Sequence, residues 1–186
     1  RVLFRSIVMG PDCGTSIIGG TGFGFANKVK KGSVGIIAAS GTGAQQVTTL
    51  LDRSGIGISH CFGLGGRDLS KQIQGISALT AFDFLESDQE TEVIVLISKP
   101  VDLSVLPLIR NKISSSNKSV IEILLGSSDS NITDALHPLI NRAAISVPKP
   151  REYSKKIKGL FAGGTLCDES MLMSRSAIVG DMSSNV

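Results

Sequence analysis

The sequence predicts an α/β protein of the flavodoxin-like class: a doubly wound parallel sheet of about five strands with helices on both faces. Three observations lead to this prediction. Short, continuous apolar runs recur along the chain, as in strands that are buried on both faces. A helical pattern follows each of these runs. Many of the 21 glycines in the 186 residues fall where one element gives way to the next.

Each predicted strand of the main sheet is an apolar run bounded by turn residues, and "SVGIIAAS" at 33–40 is typical of them. Such a run, with no polar alternation, favours a parallel strand covered by helices on both sides. The remaining strands are predicted at 57–65, 91–99, 118–126 and 157–164.

The segments between these strands have helical spacing. In the segment at 71–88, the apolar residues Ile73, Ile76, Leu79, Phe82 and Leu85 recur every three or four positions. The other helices are predicted at 43–54, 102–114, 131–144 and 165–177. Strands that alternate with helices at this interval indicate parallel crossovers.

The chain before residue 33 does not follow this rhythm. Residues 1–9 predict a short strand, and the six glycines of 14–32 predict an irregular connector with one extended piece. We therefore divide the chain into 1–32, a tail and connector, and 33–146, the first four strands of the main domain. A proline-containing, basic linker at 147–156 and a closing strand and helix at 157–186 follow.

Composition excludes several function classes. The net charge is only +3 and aromatic residues make up 4%, so nucleic-acid binding is not expected. No apolar stretch reaches the length that spans a bilayer, and no signal peptide is evident, so we expect a cytoplasmic protein without membrane contact. The three cysteines form no CxxC pair, and no metal site is predicted.

In doubly wound sheets, ligands bind outside the carboxyl ends of the strands. The loop Ser40-Gly41-Thr42-Gly43 lies at such an end, where a helix begins. Unpaired amides, small residues and two hydroxyl groups suit a phosphate or a carboxylate. The alternative is a Ser N-cap with glycines that allow close packing.

A second loop, Gly65-Gly66-Arg67-Asp68, follows the next strand. The guanidinium of Arg67 suits a carboxylate or phosphate, and Asp68 would either cap the next helix or orient Arg67. Lys99 ends the third strand of the main sheet and could meet an anion there. The alternatives are a plain turn with a surface ion pair and an ordinary surface lysine.

A third loop repeats the pattern of small residues at a helix start, with Gly163, Gly164 and Thr165. Asp168 lies in the first turn, where a carboxylate is favourable without any chemistry. Cys167 is either a supporting thiol or a small packing residue. Of the two histidines, we expect neither to be a nucleophile or a metal ligand: His60 lies in a buried strand and His137 in a helix.

Taken together, these segments resemble the alpha subunit of succinyl-CoA synthetase and the NDP-forming acyl-CoA synthetases. The resemblance rests on "GPDC" (10–13), the Ser-Gly-Thr helix start within 31–70, and "FDFLESDQETEVIVLISK" (82–99). It is closest to the FdrA branch, in "GGRDLS" (65–70), "VIVLISKP" (93–100) and "GLFAGGTLCDE" (159–169). The resemblance implies a flavodoxin-like ligase domain that follows a CoA-binding Rossmann domain.

In the ligases, the Ser-Gly-Thr helix start holds a phosphohistidine, so the resemblance implies an anion-binding role for Ser40, Gly41 and Thr42. Two departures argue against a phosphohistidine here. Thr165 is followed by Leu-Cys-Asp-Glu where the ligases carry the histidine, and Lys99 stands where they carry a glutamate.

The resemblance leaves three functions open. The first is an FdrA-like transferase of carbamoyl groups between carbamoyl phosphate and a small carboxylate such as oxamate, in purine or allantoin catabolism, with Arg67 and Lys99 as catalytic residues. The second is an acid–thiol ligase that uses CoA and ATP or GTP with magnesium. The third is a non-catalytic anion-binding subunit. Each would bind small anionic substrates and work in a homo- or hetero-oligomer; no cofactor is implied with certainty.

Overall fold

The computed structural model describes residues 13–125, 131–140 and 163–175. Within them, six strands form a single mixed sheet. The strands are β1 (Thr15–Ile18), β2 (Thr21–Gly24), β3 (Lys31–Ala39), β4 (Ile58–Gly63), β5 (Val93–Ser98) and β6 (Ser119–Leu124). The helices are α1 (Gly41–Arg53), α2 (Ile76–Ser87), α3 (Leu106–Ser114), α4 (Ile132–Ala135), α5 (His137–Ile140) and α6 (Gly164–Arg175).

The strand order in the sheet is β2-β1-β4-β3-β5-β6, and β4, β3, β5 and β6 run parallel to one another. Numbered along the chain, the four parallel strands therefore have the order 2-1-3-4 that is typical of flavodoxin-like sheets. The predicted fold class is confirmed. The strand predicted at 1–9 lies outside the described residues, as does the strand predicted at 157–164 apart from its last two positions.

The connector before β3 is more ordered than the sequence predicted. Instead of one extended piece, it holds two strands, β1 and β2, which pair antiparallel, and β1 continues the sheet beside β4. Gly19 and Gly20, both with positive φ, form the turn between them. Glycines that allow this turn also remove the side-chain alternation by which a hairpin is normally recognised.

Helix α1 begins two residues before its predicted start, and three other helices differ more from their predicted bounds. Helix α2 begins at Ile76 rather than at residue 71, after a series of turns, and α3 begins at Leu106 rather than at 102. The helix predicted at 131–144 is two short helices, α4 and α5, within the described residues. Pro138 explains this break, because proline has no N–H to donate to the preceding turn.

The apolar core lies on both faces of the sheet. On one face, Val47 and Leu51 of α1 pack with Ile132 and Leu136 from the region of α4. On the other face, α2 and α3 cover Ile37, Leu96 and their neighbours. Because both faces are covered, the central strands hold their carboxyl ends rigidly at one edge, where the predicted ligand-binding loops begin.

Candidate functional site

The chain changes direction across the sheet at the boundary between β3 and β5. From β3 it continues to β4 on one side, and from β4 it crosses to β5 on the other side. Ala39 lies beside Ser98 at the ends of β3 and β5, so Ser40 and Lys99 leave the sheet from neighbouring positions. Such a switch point opens a crevice at the carboxyl edge, where doubly wound proteins bind their ligands.

Ser40 is the N-cap of α1, and its side chain is buried. Its Oγ accepts a hydrogen bond of 3.1 Å from the amide of Gly43, and its carbonyl oxygen accepts one of 3.0 Å from the amide of Ala44. The first amides of a helix have no partner within the helix. Here the amides of Gly41 and Thr42 are left without an acceptor among the described residues.

The start of α6 packs directly on the start of α1. The hydroxyl groups of Ser40 and Thr165 are hydrogen-bonded to each other, and both side chains are buried. A Cβ atom on Gly163 would lie 2.2 Å from Cγ2 of Thr42, so this position accepts glycine alone without movement. The two loops that the sequence predicted as anion-binding cradles therefore meet.

Lys99 completes this cluster. A Cβ atom on Gly164 would lie 2.6 Å from its Nζ atom, which places the ammonium group against the first residue of α6. The start of a helix carries a partial positive charge, so a cation there is unfavourable on its own. Within the described ranges, no carboxylate or other acceptor pairs with this ammonium group. We call the starts of α1 and α6 together with Lys99 the switch-point cluster.

The loop after β4 lies on the far side of β3 from Lys99. Its Gly65 is buried and Gly66 is exposed. Arg67 is exposed, and in the part of the chain that the structure describes no hydrogen bond or ion pair involves its guanidinium group; its carbonyl oxygen accepts a hydrogen bond of 3.0 Å from the amide of Ser70. The structure thus brings Ser40 and Lys99 together and leaves Arg67 outside their contacts.

Asp68 caps the next helix, which is one of the two roles that the sequence allowed. Its carboxylate accepts hydrogen bonds from the amides of Ser77, at 3.0 Å, and Ala78, at 2.9 Å. Gly75, which precedes α2, offers no side chain for this purpose. The side chain of Asp68 is buried, and its bonds go to α2 rather than to Arg67.

Sequence reasoning did not include Cys13 and Thr15 in the site, although both approach it from the hairpin. A Cβ atom on Gly63 would lie 2.3 Å from Sγ of Cys13 and 2.1 Å from the carbonyl oxygen of Thr15. A Cβ atom on Gly41 would lie 3.6 Å from Oγ1 of Thr15. The only available signal was the "GPDC" segment, which ends at Cys13.

The remaining polar candidates have different surroundings. Cys167 and Asp168 are partly buried on the first turns of α6. Glu169, one position further, is buried and accepts a hydrogen bond of 2.8 Å from the amide of Ile132, which ties α6 to α4. His60 is a buried residue of β4, as expected, and His137 is exposed at the start of α5.

The described residues contain no cluster of three or more histidine, cysteine, aspartate or glutamate side chains that could hold a metal ion. Burial, together with the nearby Cys13, raises the pKa of the Cys61 thiol to about 12. Among the described helices, none is long and apolar enough to cross a membrane.

Residues 29–116 match a family model described as "CoA binding domain". The match begins just before β3 and ends just after α3. It therefore covers the strands on both sides of the switch point, together with Ser40 and Lys99.

Three relatives are similar to this chain in sequence, and two of them are alpha subunits of CoA ligases. Malate–CoA ligase subunit alpha of Methylorubrum extorquens is 34% identical over 98 residues, 51% of this chain and 32% of that protein. Succinate–CoA ligase [ADP-forming] subunit alpha 1 of Archaeoglobus fulgidus is 28% identical over the same shares. The uncharacterized protein YahF of Escherichia coli is 35% identical across 97% of this chain and 40% of its own length.

Two solved structures share the fold. Dinucleotide-forming acetyl-coenzyme A synthetase 1 of Ca. Korarchaeum cryptofilum, in complex with phosphate and ADP, superposes with a TM-score of 0.51 at 21% identity, over 69% of this chain and 28% of that one. Its apo form gives a TM-score of 0.53 at 22% identity. The chain spans two fifths or less of each of these proteins. The expected resemblance to CoA ligase alpha subunits is confirmed, and the FdrA branch within it stays a proposal.

Proposed function

We propose that this chain is the anion-holding part of an acyl-phosphate-handling enzyme in the acyl-CoA synthetase superfamily. The observation that carries this proposal is the switch-point cluster. Two helix starts and the ammonium group of Lys99 converge at one point of the carboxyl edge. A phosphoryl group is the ligand that best matches such a convergence of positive charge.

Electrostatics supports an anion at this position. A charge at a helix terminus contributes about 0.3–1 kcal/mol, and the contribution is unfavourable when a cation faces the N-terminus. Lys99 therefore costs stability where it stands, unless an anion lies between its ammonium group and the amides of the two helix starts. Gly164 is exposed and Gly41 and Thr42 are partly exposed, so an anion from solvent would meet the backbone on this side of the two helix starts.

The specific reaction that we propose is carbamoyl transfer from carbamoyl phosphate to oxamate. The oxamate nitrogen attacks the carbonyl carbon, the bond from that carbon to the phosphate oxygen breaks, and the nitrogen releases a proton to solvent. Phosphate leaves with the electron pair. Lys99 and the helix starts would stabilise the charge on this leaving group. Arg67, exposed at the same edge, would bind the acceptor carboxylate.

The charge of Lys99 favours transfer over a phosphohistidine relay. The ligases that the sequence resembles carry a glutamate at this position to contact the histidine, whereas this chain carries a lysine there. A lysine would instead pair with the phosphate of a substrate that binds from solution. Oligomerisation with a further subunit is part of the proposal, because the relatives include alpha subunits of ligases.

The alternative is an acid–thiol ligase, and the match to the CoA-binding family model favours it. When bound, CoA would supply the thiol that accepts the acyl group. The Gly41 and Thr42 amides and Lys99 would then hold the phosphate of an acyl-phosphate substrate. ATP or GTP with magnesium would be required for that reaction.

The deciding experiment measures phosphate release from carbamoyl phosphate plus oxamate, with Arg67→Ala as the test variant and the exposed Arg110→Ala as its control. Carbamoyl transfer predicts release that depends on oxamate, with a KM for oxamate at least tenfold higher in Arg67→Ala. Release that needs CoA and nucleotide, or covalent ³²P on a histidine, would establish the ligase. If neither reaction occurs in the full-length protein with its partner subunits, the enzymatic proposal is wrong.

A further inference from the structure

Two hydrogen bonds tie the tip of the β1–β2 hairpin to β4. The amide of Gly19 donates to Nδ1 of His60 at 3.2 Å, and the amide of Gly20 donates to the carbonyl oxygen of Ser59 at 3.1 Å. The second bond joins backbone to backbone. The first ends on a titratable side chain, and that side chain is far from the switch-point cluster in the sequence.

The bond from Gly19 defines the protonation state of His60. Because Nδ1 accepts a hydrogen bond, it carries no proton, and the proton of the neutral imidazole lies on Nε2. Nε2 is 3.6 Å from Oδ2 of Asp88. The ring stacks on Phe62 and meets the edge of Phe84, and only 8% of the side chain is exposed.

Charged groups approach His60 from three other elements. Asp88, just after α2, faces Nε2. The ammonium group of Lys118, which precedes β6, donates a hydrogen bond of 2.6 Å to the carbonyl oxygen of Asp88. Lys31 of β3 lies along Gly20, and its ammonium group is paired with Glu90 at 2.8 Å. None of these groups can replace Nδ1 as the acceptor for Gly19.

We propose that proton uptake by His60 releases the tip of the hairpin. A proton on Nδ1 would face the N–H of Gly19, so two donors would oppose each other where one bond now holds. Histidine is the side chain whose ordinary charge change lies between about pH 5 and 8, and this range sets the conditions of the test. The base of the same hairpin carries Cys13 and Thr15, which lie against Gly63 and Gly41.

The test is amide hydrogen exchange measured by NMR at pH 7.5 and 5.5, corrected for the intrinsic pH dependence of exchange. In the native sequence, we expect protection of the Gly19 amide to fall at least tenfold at the lower pH, while that of Ile36 in the central sheet stays constant. The imidazole C–H shifts of His60 should titrate over the same range.

His60→Asn is the matched variant, because its side-chain oxygen can occupy the place of Nδ1 but takes up no proton. Its Gly19 protection should not depend on pH. His60→Phe, which has no acceptor, should leave Gly19 unprotected at both pH values. The proposal is overturned if His60 does not titrate between pH 8 and 5, if it titrates while Gly19 stays protected, or if His60→Asn loses protection at pH 5.5 like the native protein.

Discussion

Substituting Gly163 by alanine tests whether the starts of α1 and α6 are packed together. The added Cβ would lie 2.2 Å from Cγ2, 2.8 Å from Oγ1 and 2.9 Å from Cβ of Thr42. Rotation of the threonine side chain moves the first two atoms, but its Cβ moves only with the backbone. Overpacking of this kind costs about 1–3 kcal/mol. We therefore expect Gly163→Ala to lower the midpoint of thermal unfolding by about 2–12 °C, since 1 kcal/mol corresponds to roughly 2–4 °C at this chain length.

A double-mutant cycle with Thr42→Ala separates this contact from other effects of the methyl group. Thr42→Ala removes Cγ2 and Oγ1, which are the two closest atoms, so it should recover about 1 kcal/mol or more of the loss. Urea unfolding gives the four free energies of unfolding. Gly41→Ala is the control, because its Cβ would meet no atom closer than 3.6 Å and should not destabilise the protein.

Strict additivity of the two substitutions would refute the packing of α6 on α1. A Gly163→Ala protein as stable as the native one would do the same. Either result would remove Thr165 and Gly164 from the switch-point cluster, leaving Ser40 and Lys99 alone at the crevice.

Three further predictions concern the side chains of Asp68, Glu86 and Cys61. Asp68→Ala should lower the free energy of unfolding in urea by about 1–3 kcal/mol, because two amides of α2 lose their acceptor, whereas the exposed Asp83→Ala should change it by less than about 0.5 kcal/mol. Burial would raise the pKa of Glu86, but hydrogen bonds from Ser116 and its neighbour hold it below the usual value. Glu86 therefore stabilises the fold above about pH 4.3, this contribution is lost as the pH falls through the lowered pKa, and Glu86→Gln should flatten that part of the pH–stability curve. The buried thiol of Cys61 should react with a thiol reagent only after denaturation, whereas the other two cysteines react in the native protein; fast reaction of all three would contradict its burial.

The main sheet was predictable because its signals are local. A strand covered on both faces must be apolar at every position, and a parallel crossover needs a helix, so the runs at 33–40 and 91–99 located β3 and β5 closely. The Ser-Gly-Thr start of α1 was likewise readable, since an N-cap serine lies within three residues of the amide it binds.

The starting point of α2 depends on a contact that the local sequence does not display. Asp68 caps a helix that begins eight residues later, across turns that include Gly75 in a left-handed conformation. Helical periodicity alone therefore placed the helix start too early. The hairpin was missed for a similar reason, because its stability comes from pairing with β4 rather than from its own residues.

Strand order explains why Arg67 and Lys99 could both be predicted as anion-binding residues from the sequence, with no sign that they lie on different sides of β3. Both residues follow parallel strands, and both lie at the carboxyl edge. Only the order β4-β3-β5 shows that Lys99 borders the switch point, while Arg67 follows a strand on the other side of β3. Which loops face each other depends on this order, and the length of the loops does not reveal it.

The most direct test of the switch-point cluster is a titration with inorganic phosphate, followed by thermal unfolding and isothermal calorimetry. We expect saturable binding in the native protein, with about 2.7 kcal/mol of stabilisation at one hundred times Kd. Lys99→Glu should abolish it, whereas Lys28→Glu, the same charge change on an exposed lysine before β3, should weaken binding less than about threefold. Saturable binding that survives Lys99→Glu, or no binding to the native protein at all, would contradict an anion site at these helix starts.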